Sequence, residues 1–293
     1  MKPAPFAYHL AGSLEEACRL LAEGDDEAEH KVIAGGQTLT PLLAMRLARP
    51  ALLIDLNRLP HLAGIDEAAG ALVIGAMTRQ RAVERSPMVG RRLPLLVKAL
   101  CHVGHVQTRN RGTVGGSIVH ADPSAEIPLV AVVLGARMHL AGAGSSRQVG
   151  ADAFFQGPMT TAIAAHEILT AVDFPLPAAA PRLGTAFHEV ALRHGDFALV
   201  SAAVQLSLDG DGRCLEARIG LGGCGLTPLR LVGAEAALQE TALESGDISA
   251  AIATVADAID PEDTPAASAA YRRRVAPELL RRAIVEAIGE AAP

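Results

Sequence analysis

Two glycine pairs, each set between an apolar run and a string of hydroxyl or amide side chains, limit this chain more than any other feature. The longer one lies in the segment from Arg109 to Pro128, which holds three glycines, Arg109 and Arg111, Thr113, Ser117, Asp122 and Glu126 around the apolar Ile118 and Val119. Such a mixture suits backbone wrapped about a polar, anionic ligand better than it suits a core. Gly115 and Gly116 let the chain take dihedrals closed to other residues and leave no side chain between backbone N–H groups and a phosphate. A plain Gly-Gly turn is the alternative for that segment standing alone. The earlier stretch from Lys31 to Pro41 repeats the arrangement: a short strand through Ile33, then Ala34, Gly35 and Gly36, then Gln37 and Thr38, then a helix starting near Thr40. Strand, glycine loop and helix in succession make a phosphate site, and two such loops can hold one pyrophosphate between them.

The paired loops resemble those of the FAD-binding medium subunits of the molybdenum hydroxylases, the xanthine dehydrogenase and aerobic carbon monoxide dehydrogenase type. That family carries an Ala-Gly-Gly-x-Ser/Thr loop and a Thr-Ile/Val-Gly-Gly-Ser/Asn loop followed by Ala-Asp-Pro. Here they read Ala34-Gly35-Gly36-Gln37-Thr38 and Thr113-Val114-Gly115-Gly116-Ser117 with Ala121-Asp122-Pro123. Further likeness at 187–198, 222–230 and 271–274 extends it over nearly the whole chain. The resemblance implies a mixed α/β and α+β fold: a two-lobed PCMH-type, vanillyl-alcohol-oxidase-like FAD-binding domain over 1–177, with lobes of about 1–58 and 59–177. A C-terminal domain of small antiparallel sheet plus helices follows over 178–293.

It also implies a cofactor and a set of residue roles. FAD lies between the two lobes, its pyrophosphate on backbone from Ile33 to Thr38 and from Thr113 to Ser117. Val103 and Gly104 line the adenine, and Glu126 accepts hydrogen bonds from cofactor hydroxyls. Leu169 presses on the isoalloxazine, helped by Val119, although Ile118 and Val119 read equally well as core. His188 stands where relatives often carry a Lys near the flavin, so the charge beside the ring differs here. Gln37, where the carbon monoxide enzymes have His, points away from that substrate. Molybdopterin and two [2Fe-2S] clusters belong to a large and a small partner subunit, in a dimer of heterotrimers. This chain then passes electrons to an acceptor that is a quinone, NAD or oxygen. A stand-alone FAD-dependent oxidoreductase and a nucleotide-binding regulatory module are the competing readings.

Composition narrows the field independently. Half of the 293 residues are apolar, enough for a sizeable core, and a net charge of -6 argues against general nucleic-acid binding. No long uncharged apolar run is present to span a membrane, and the first residues have no apolar signal core, so a cytoplasmic chain is expected. The four cysteines lack the spacing of zinc or iron–sulfur ligands. With no Trp and two Tyr, a flat cofactor would rest mostly on aliphatic side chains.

Along the chain, Ser13 and Glu16 predict a capping box opening a helix through Leu21, and Ala51 to Leu56 a strand. A hairpin is expected around Ala68-Ala69-Gly70, a helix capped by Thr78, and further helices over 93–100 and 127–134. Strands follow around 142–146, a short helix at 151–155 and a strand over 166–174. The Pro-rich stretch 175–181 reads as the linker between domains. Beyond it, 185–192 and 200–208 suit two strands or a strand and a helix, a strand follows over 215–221, and then helices over 228–238, 248–259 and 267–288. His102, His105 and His120 leave a metal reading open. Arg272, Arg273, Arg274, Arg281 and Arg282 form either a solvated helix face or a basic docking surface for an acidic partner, and the rim near Gln37 and Thr38 is a second docking candidate. Gly220 to Gly225 satisfies the dinucleotide fingerprint Gly-x-Gly-x-x-Gly, but Thr227-Pro228 places the next helix start too late for it, so tight packing in the tail is the preferred reading.

Overall fold

The computed structural model describes residues 2–25, 27–177 and 180–292. The linker expected over 175–181 includes residues 178 and 179, which lie outside the described residues.

The first lobe alternates strand and helix: β1 (Ala7–Leu10), α1 (Leu14–Ala22), β2 (His30–Ile33), α2 (Leu39–Ala44) and β3 (Leu52–Asp55). Its sheet has the order β1-β3-β2 and both pairings are parallel, because each return passes through a helical crossover. The expected capping box is only half formed. Ser13 Oγ accepts from Glu16 N at 3.0 Å, but the Glu16 carboxylate reaches past Ser13 to the Gly12 N–H at 2.6 Å and to His9 at 3.0 Å. The buried face of α1, Ala17, Cys18 and Leu21, joins Ile54 and Leu56 in a core that Met77 and Ile168 of the next lobe complete. The two lobes therefore share one apolar seam.

The second lobe opens with the hairpin β4 (Ile65–Ala68) and β5 (Ala71–Gly75), whose turn has positive φ at both Ala69 and Gly70, as a two-residue primed turn requires. Six helices follow: α3 (Gln80–Glu84), α4 (Pro87–Arg92), α5 (Pro94–Leu100), α6 (Val106–Arg111), α7 (Val114–His120) and α8 (Glu126–Leu134). Next come β6 (Arg137–Gly142), β7 (Ser145–Gly150), α9 (Ala151–Phe154), β8 (Phe155–Gly157), β9 (Thr160–Thr161) and β10 (Ile168–Pro175), and the main sheet runs β4-β5-β10-β6-β7, antiparallel throughout. Thr78 does not cap α3. Its hydroxyl exchanges bonds of 3.0 Å with the backbone of Gly64 instead, tying the helix entry to the hairpin. Helix α8 is buried almost all round, which is why it shows an apolar run and no amphipathic period.

The tail sheet is β11 (Arg182–Val190), β12 (Val200–Leu208), β13 (Cys214–Gly222) and β14 (Leu229–Arg230), paired in that order and antiparallel. Helices α10 (Val232–Leu238), α11 (Ser245–Ala253), α12 (Val255–Ala258) and α13 (Ala269–Glu290) complete it. The helix expected from Pro228 starts at Val232, because Leu229 and Arg230 first pair with β13, and the one expected over 248–259 breaks at Thr254. Strand β12 alternates apolar and polar yet is buried at every position. Val200, Ala202, Val204, Leu206 and Leu208 face the tail helices, whereas Ala203 joins the core of the second lobe. The sheet is thus a middle layer between the two domains. Lys98 of α5 crosses that boundary, donating to the Thr185 carbonyl at 2.6 Å and pairing with Glu290 of α13 at 3.0 Å.

The basic face expected on α13 is largely consumed from within. Arg272 is buried and donates to the carbonyls of Leu199 and of Gly223, the latter at 2.9 Å, and to Thr264 at 3.0 Å. Arg273 pairs with Asp260 and Arg282 with Glu278, while Arg274 lies over the Tyr271 ring. The Gly220–Gly225 run packs tightly at the end of β13. A Cβ at Gly220 would lie 2.6 Å from the Leu229 carbonyl oxygen, and Gly223, at φ +70°, donates its N–H to Pro123 at 3.0 Å. No helix starts within the run, so the fingerprint has no turn on which to bind a phosphate.

Candidate functional site

The first glycine motif is an open donor row. After Ile33 ends β2, Ala34 to Thr38 turn into α2, with Gly36 in the left-handed region at φ +70°, where a Cβ would also crowd Thr40 Oγ1 at 2.9 Å. Among the described residues the N–H groups of Gly35, Gly36, Gln37 and Thr38 have no acceptor. Their carbonyl side is settled: Thr40 N donates to Gly36 O at 3.0 Å, and the Gln37 amide folds back on Gly35 O at 3.3 Å. Consecutive free donors at a helix start are what an anionic oxygen requires.

The second motif differs from the sequence expectation. Thr113 to Ser117 is the start of α7, and neither Gly115 nor Gly116 has a positive φ. Each first-turn N–H already has a partner: Val114 donates to Thr78 O at 3.1 Å, Gly115 to Ala76 O at 2.9 Å, Gly116 to Thr113 Oγ1 at 3.0 Å and Ser117 to Thr113 O at 3.3 Å. Glycine is needed here for clearance. A Cβ on Gly115 would lie 2.5 Å from Ala76 Cβ, whereas Gly116 faces outward and exposes bare backbone beside the half-buried Ser117. What this motif can offer a ligand is therefore a smooth surface and a hydroxyl, with the backbone donors coming from the first.

The two motifs meet. A Cβ on Gly35 would lie 2.8 Å from Gly112 Cα and closer still to the Arg111 carbonyl oxygen. Asn57, just past β3, donates to Ala34 O at 3.0 Å, and Arg79 donates to Asn57 Oδ1 at 2.6 Å and to Arg111 O at 2.5 Å. Nothing in the sequence around Asn57 or Arg79 marks them, since their role depends on two loops brought together from separate lobes.

Val103 and Gly104 form the bend between α5 and α6, with Gly104 at φ +48°. Both carbonyls accept from the Arg109 guanidinium, at 2.9 and 3.2 Å, and Arg109 is itself buried and paired with Glu84 at 2.9 Å. Arg109 is thus an internal strut. Glu126 opens α8 and is buried, and among the described residues no other residue donates a hydrogen bond to its carboxylate. Burial, and the charges of Glu189 and Asp122 against that of His102, push its carboxyl up to about 7. His102 Nδ1 is 3.4 Å from Glu189, whose hydrogen bond raises the imidazole, and its ring lies against Phe187 at 5.3 Å.

Leu169 and Ile118 are enclosed in the core of the second lobe, and Val119 packs on its edge half-buried. At His188 strand alternation turns Phe187 and Glu189 toward the second lobe and the imidazole toward α13, where Nε2 meets Glu286 at 2.8 Å. Glu189 is the titratable residue of that stretch facing the second lobe, and the sequence reading missed it. Among the described residues no group of histidines, cysteines and acids could hold a metal ion. His105 instead lies close against Gly195 of the tail. Burial raises the thiols of Cys214 to about 11 and Cys224 to about 12, so these are packing residues.

Residues 4–177 match the model of the FAD-binding domain in molybdopterin dehydrogenase, and residues 185–287 that of the carbon monoxide dehydrogenase flavoprotein C-terminal domain. The chain belongs to the FAD-binding medium subunits of the molybdenum hydroxylases. It is 40% identical to the 6-hydroxypseudooxynicotine dehydrogenase complex subunit alpha of Paenarthrobacter nicotinovorans, over 100% of this chain and 98% of the relative. The carbon monoxide dehydrogenase medium chain of Afipia carboxidovorans is 35% identical over 98% of each chain. In structure, a chain of the carbon monoxide dehydrogenase from Hydrogenophaga pseudoflava that lacks the Mo-pyranopterin moiety of its molybdenum cofactor superposes with a TM-score of 0.94 at 35% identity, covering 100% of both chains. This molybdenum hydroxylase subunit is accordingly an FAD-binding oxidoreductase subunit with the family's two-domain mixed fold. Among the described residues no helix is long and apolar enough to cross a membrane.

Proposed function

We propose that the chain is the FAD-carrying electron-transfer subunit of a molybdopterin/[2Fe-2S]/FAD hydroxylase, with the cofactor held between the two lobes of residues 1–177. The observation that carries this reading is the row of unpartnered N–H groups from Gly35 to Thr38, packed at Gly35 against the Arg111–Gly112 turn that leads into α7. That row fits a diphosphate: four donors follow one another in the chain and Gly36 holds the left-handed turn. Ile33 and Ala34 lead the strand into it. Thr113, Val114 and Gly115 fix the start of α7, and exposed Gly116 and half-buried Ser117 are assigned to the second side of the diphosphate. Val103 and Gly104 are assigned to the adenine end, Glu126 to the cofactor hydroxyls, and Val119 and Leu169 to the apolar side. When bound, FAD supplies the redox chemistry, taking electrons from one donor and giving them to another.

The protein's own contribution is position. A large molybdopterin subunit and a small [2Fe-2S] subunit are the proposed partners, in a cytoplasmic dimer of heterotrimers, with a quinone, NAD or oxygen as final acceptor. Electron transfer in a fixed pose needs a stable interface, above roughly 1,000 Å². The rim of the first motif suits it better than the self-paired α13, for Met45 and Leu47 stand exposed at the end of α2.

The purified chain should absorb near about 450 nm through bound FAD and, once chemically reduced, pass electrons to dyes. It should oxidise no aldehyde, purine or carbon monoxide until the two partner subunits are added. A single chain, free of molybdenum and iron, that turns over such a substrate at the rate of the complex would replace this reading by a stand-alone oxidoreductase. A chain with no flavin absorption would favour a nucleotide-binding module.

A further inference from the structure

A guanidinium stands where the two glycine motifs meet, in no direct ion pair among the described residues. Arg79 donates from Nη1 to the Arg111 carbonyl oxygen and from Nη2 to Asn57, which holds Ala34 O. One planar fork therefore fixes the spacing between the first motif and the second. Neither Arg79 nor Arg111 forms an ion pair among the described residues, and both ends of the Arg79 fork rest on neutral oxygens. The acid whose charge reaches Arg79 is Asp55, and its oxygens are engaged by the Tyr8 hydroxyl at 2.7 Å and by Asn57 at 2.5 Å.

Left as they are, Arg79 and Arg111 oppose each other. Partial burial and the Arg111 charge both lower the Arg79 pKa. In a chain with a net charge of -6, two cations without ion pairs beside a row of free donors make a place that favours an anion. The row itself lies alongside: Gly35 packs on the same Arg111 carbonyl that Arg79 grips.

We propose that Arg79, with Arg111 beside it, supplies the positive charge that neutralises the diphosphate of FAD on the Gly35–Thr38 loop, while its bond to Asn57 sets the distance between the two motifs. The inference rests on the cofactor reading above and names residues outside both glycine motifs.

The test is FAD affinity as a function of salt, read by flavin fluorescence on the full chain stripped of flavin and titrated with FAD. Wild-type affinity falls as ionic strength screens the pair. Arg79→Gln weakens binding roughly tenfold or more at low salt, the scale of a lost hydrogen bond to a charged group, and flattens the salt dependence. Arg79→Lys keeps the charge and the salt slope. Asn57→Ala weakens binding but leaves the slope, which separates spacing from charge. Thermal unfolding of each apo-variant shows that it is folded. An Arg79→Gln protein that is folded and binds FAD with wild-type affinity and salt slope overturns the inference alone. Failure of the wild-type chain to bind FAD overturns the cofactor reading beneath it.

Discussion

Gly35 rests on Gly112. A Cβ at position 35 would come within 2.8 Å of Gly112 Cα, so the first lobe and the second can bring their motifs together only over a bare backbone. The obstacle is backbone on both sides and cannot swing aside as a side chain would. Gly35→Ala should therefore lose most of its bound FAD, seen as a several-fold drop in the ratio of flavin to protein absorbance. The effect works by prising the two loops apart.

The paired glycines of the second motif should behave differently from one another. Gly115→Val collides with Ala76 and lowers stability, by roughly 2–4 kcal/mol on the scale of overpacked cores. Gly116→Val places its branches on the exposed face, where the nearest atom to a Cβ is Thr113 Oγ1 at 2.9 Å. It should keep most of the thermal stability and lose the flavin. Equal stability loss in the two variants would refute the separate roles.

Glu126 predicts a pH dependence. A carboxyl held at about 7 accepts hydrogen bonds from cofactor hydroxyls fully only when ionised, so FAD affinity should rise as pH increases through about 7. Glu126→Gln should flatten that rise. For the apo fold the sign is opposite. The folded-state value lies above the ordinary 4.5, so stability is greatest below 4.5 and is lost as pH rises through about 7, by roughly 3 kcal/mol at most. Urea unfolding of apo-protein at pH values on both sides of this window should show Glu126→Gln gaining on wild type as pH rises.

Arg272 and Arg282 share a helix and have opposite prospects. The Arg272 fork closes on Leu199, Gly223 and Thr264 in the interior, and truncation to Ala should lower stability by roughly 2–4 kcal/mol in chemical unfolding. Lys should not restore it, because a single ammonium cannot span those diverging acceptors. Arg282→Ala breaks an exposed pair with Glu278 and should change stability by no more than about 0.5 kcal/mol.

The sequence alone determined the elements whose cause is local. The hairpin around Ala68-Ala69-Gly70 was legible because Gly70 punctuates two apolar runs, and the helix over Ile127 to Leu134 because its apolar run is long and unbroken. The glycine pairs and their order carried the family. Local rules could not say which donors were open, since Gly115 and Gly116 look like loop residues until Ala76 and Thr78 arrive to take the N–H groups of α7. Nor could they orient His188, whose direction follows from a strand having its two faces in different domains, or foresee that Arg272 would be buried. Strand β12 shows the general reason. Its alternation leaves Ser201, Ala203, Gln205 and Ser207 on one face, and only the docking of one domain on the other buries that face. Partners distant in sequence decide such matters, and no local pattern of residues encodes them.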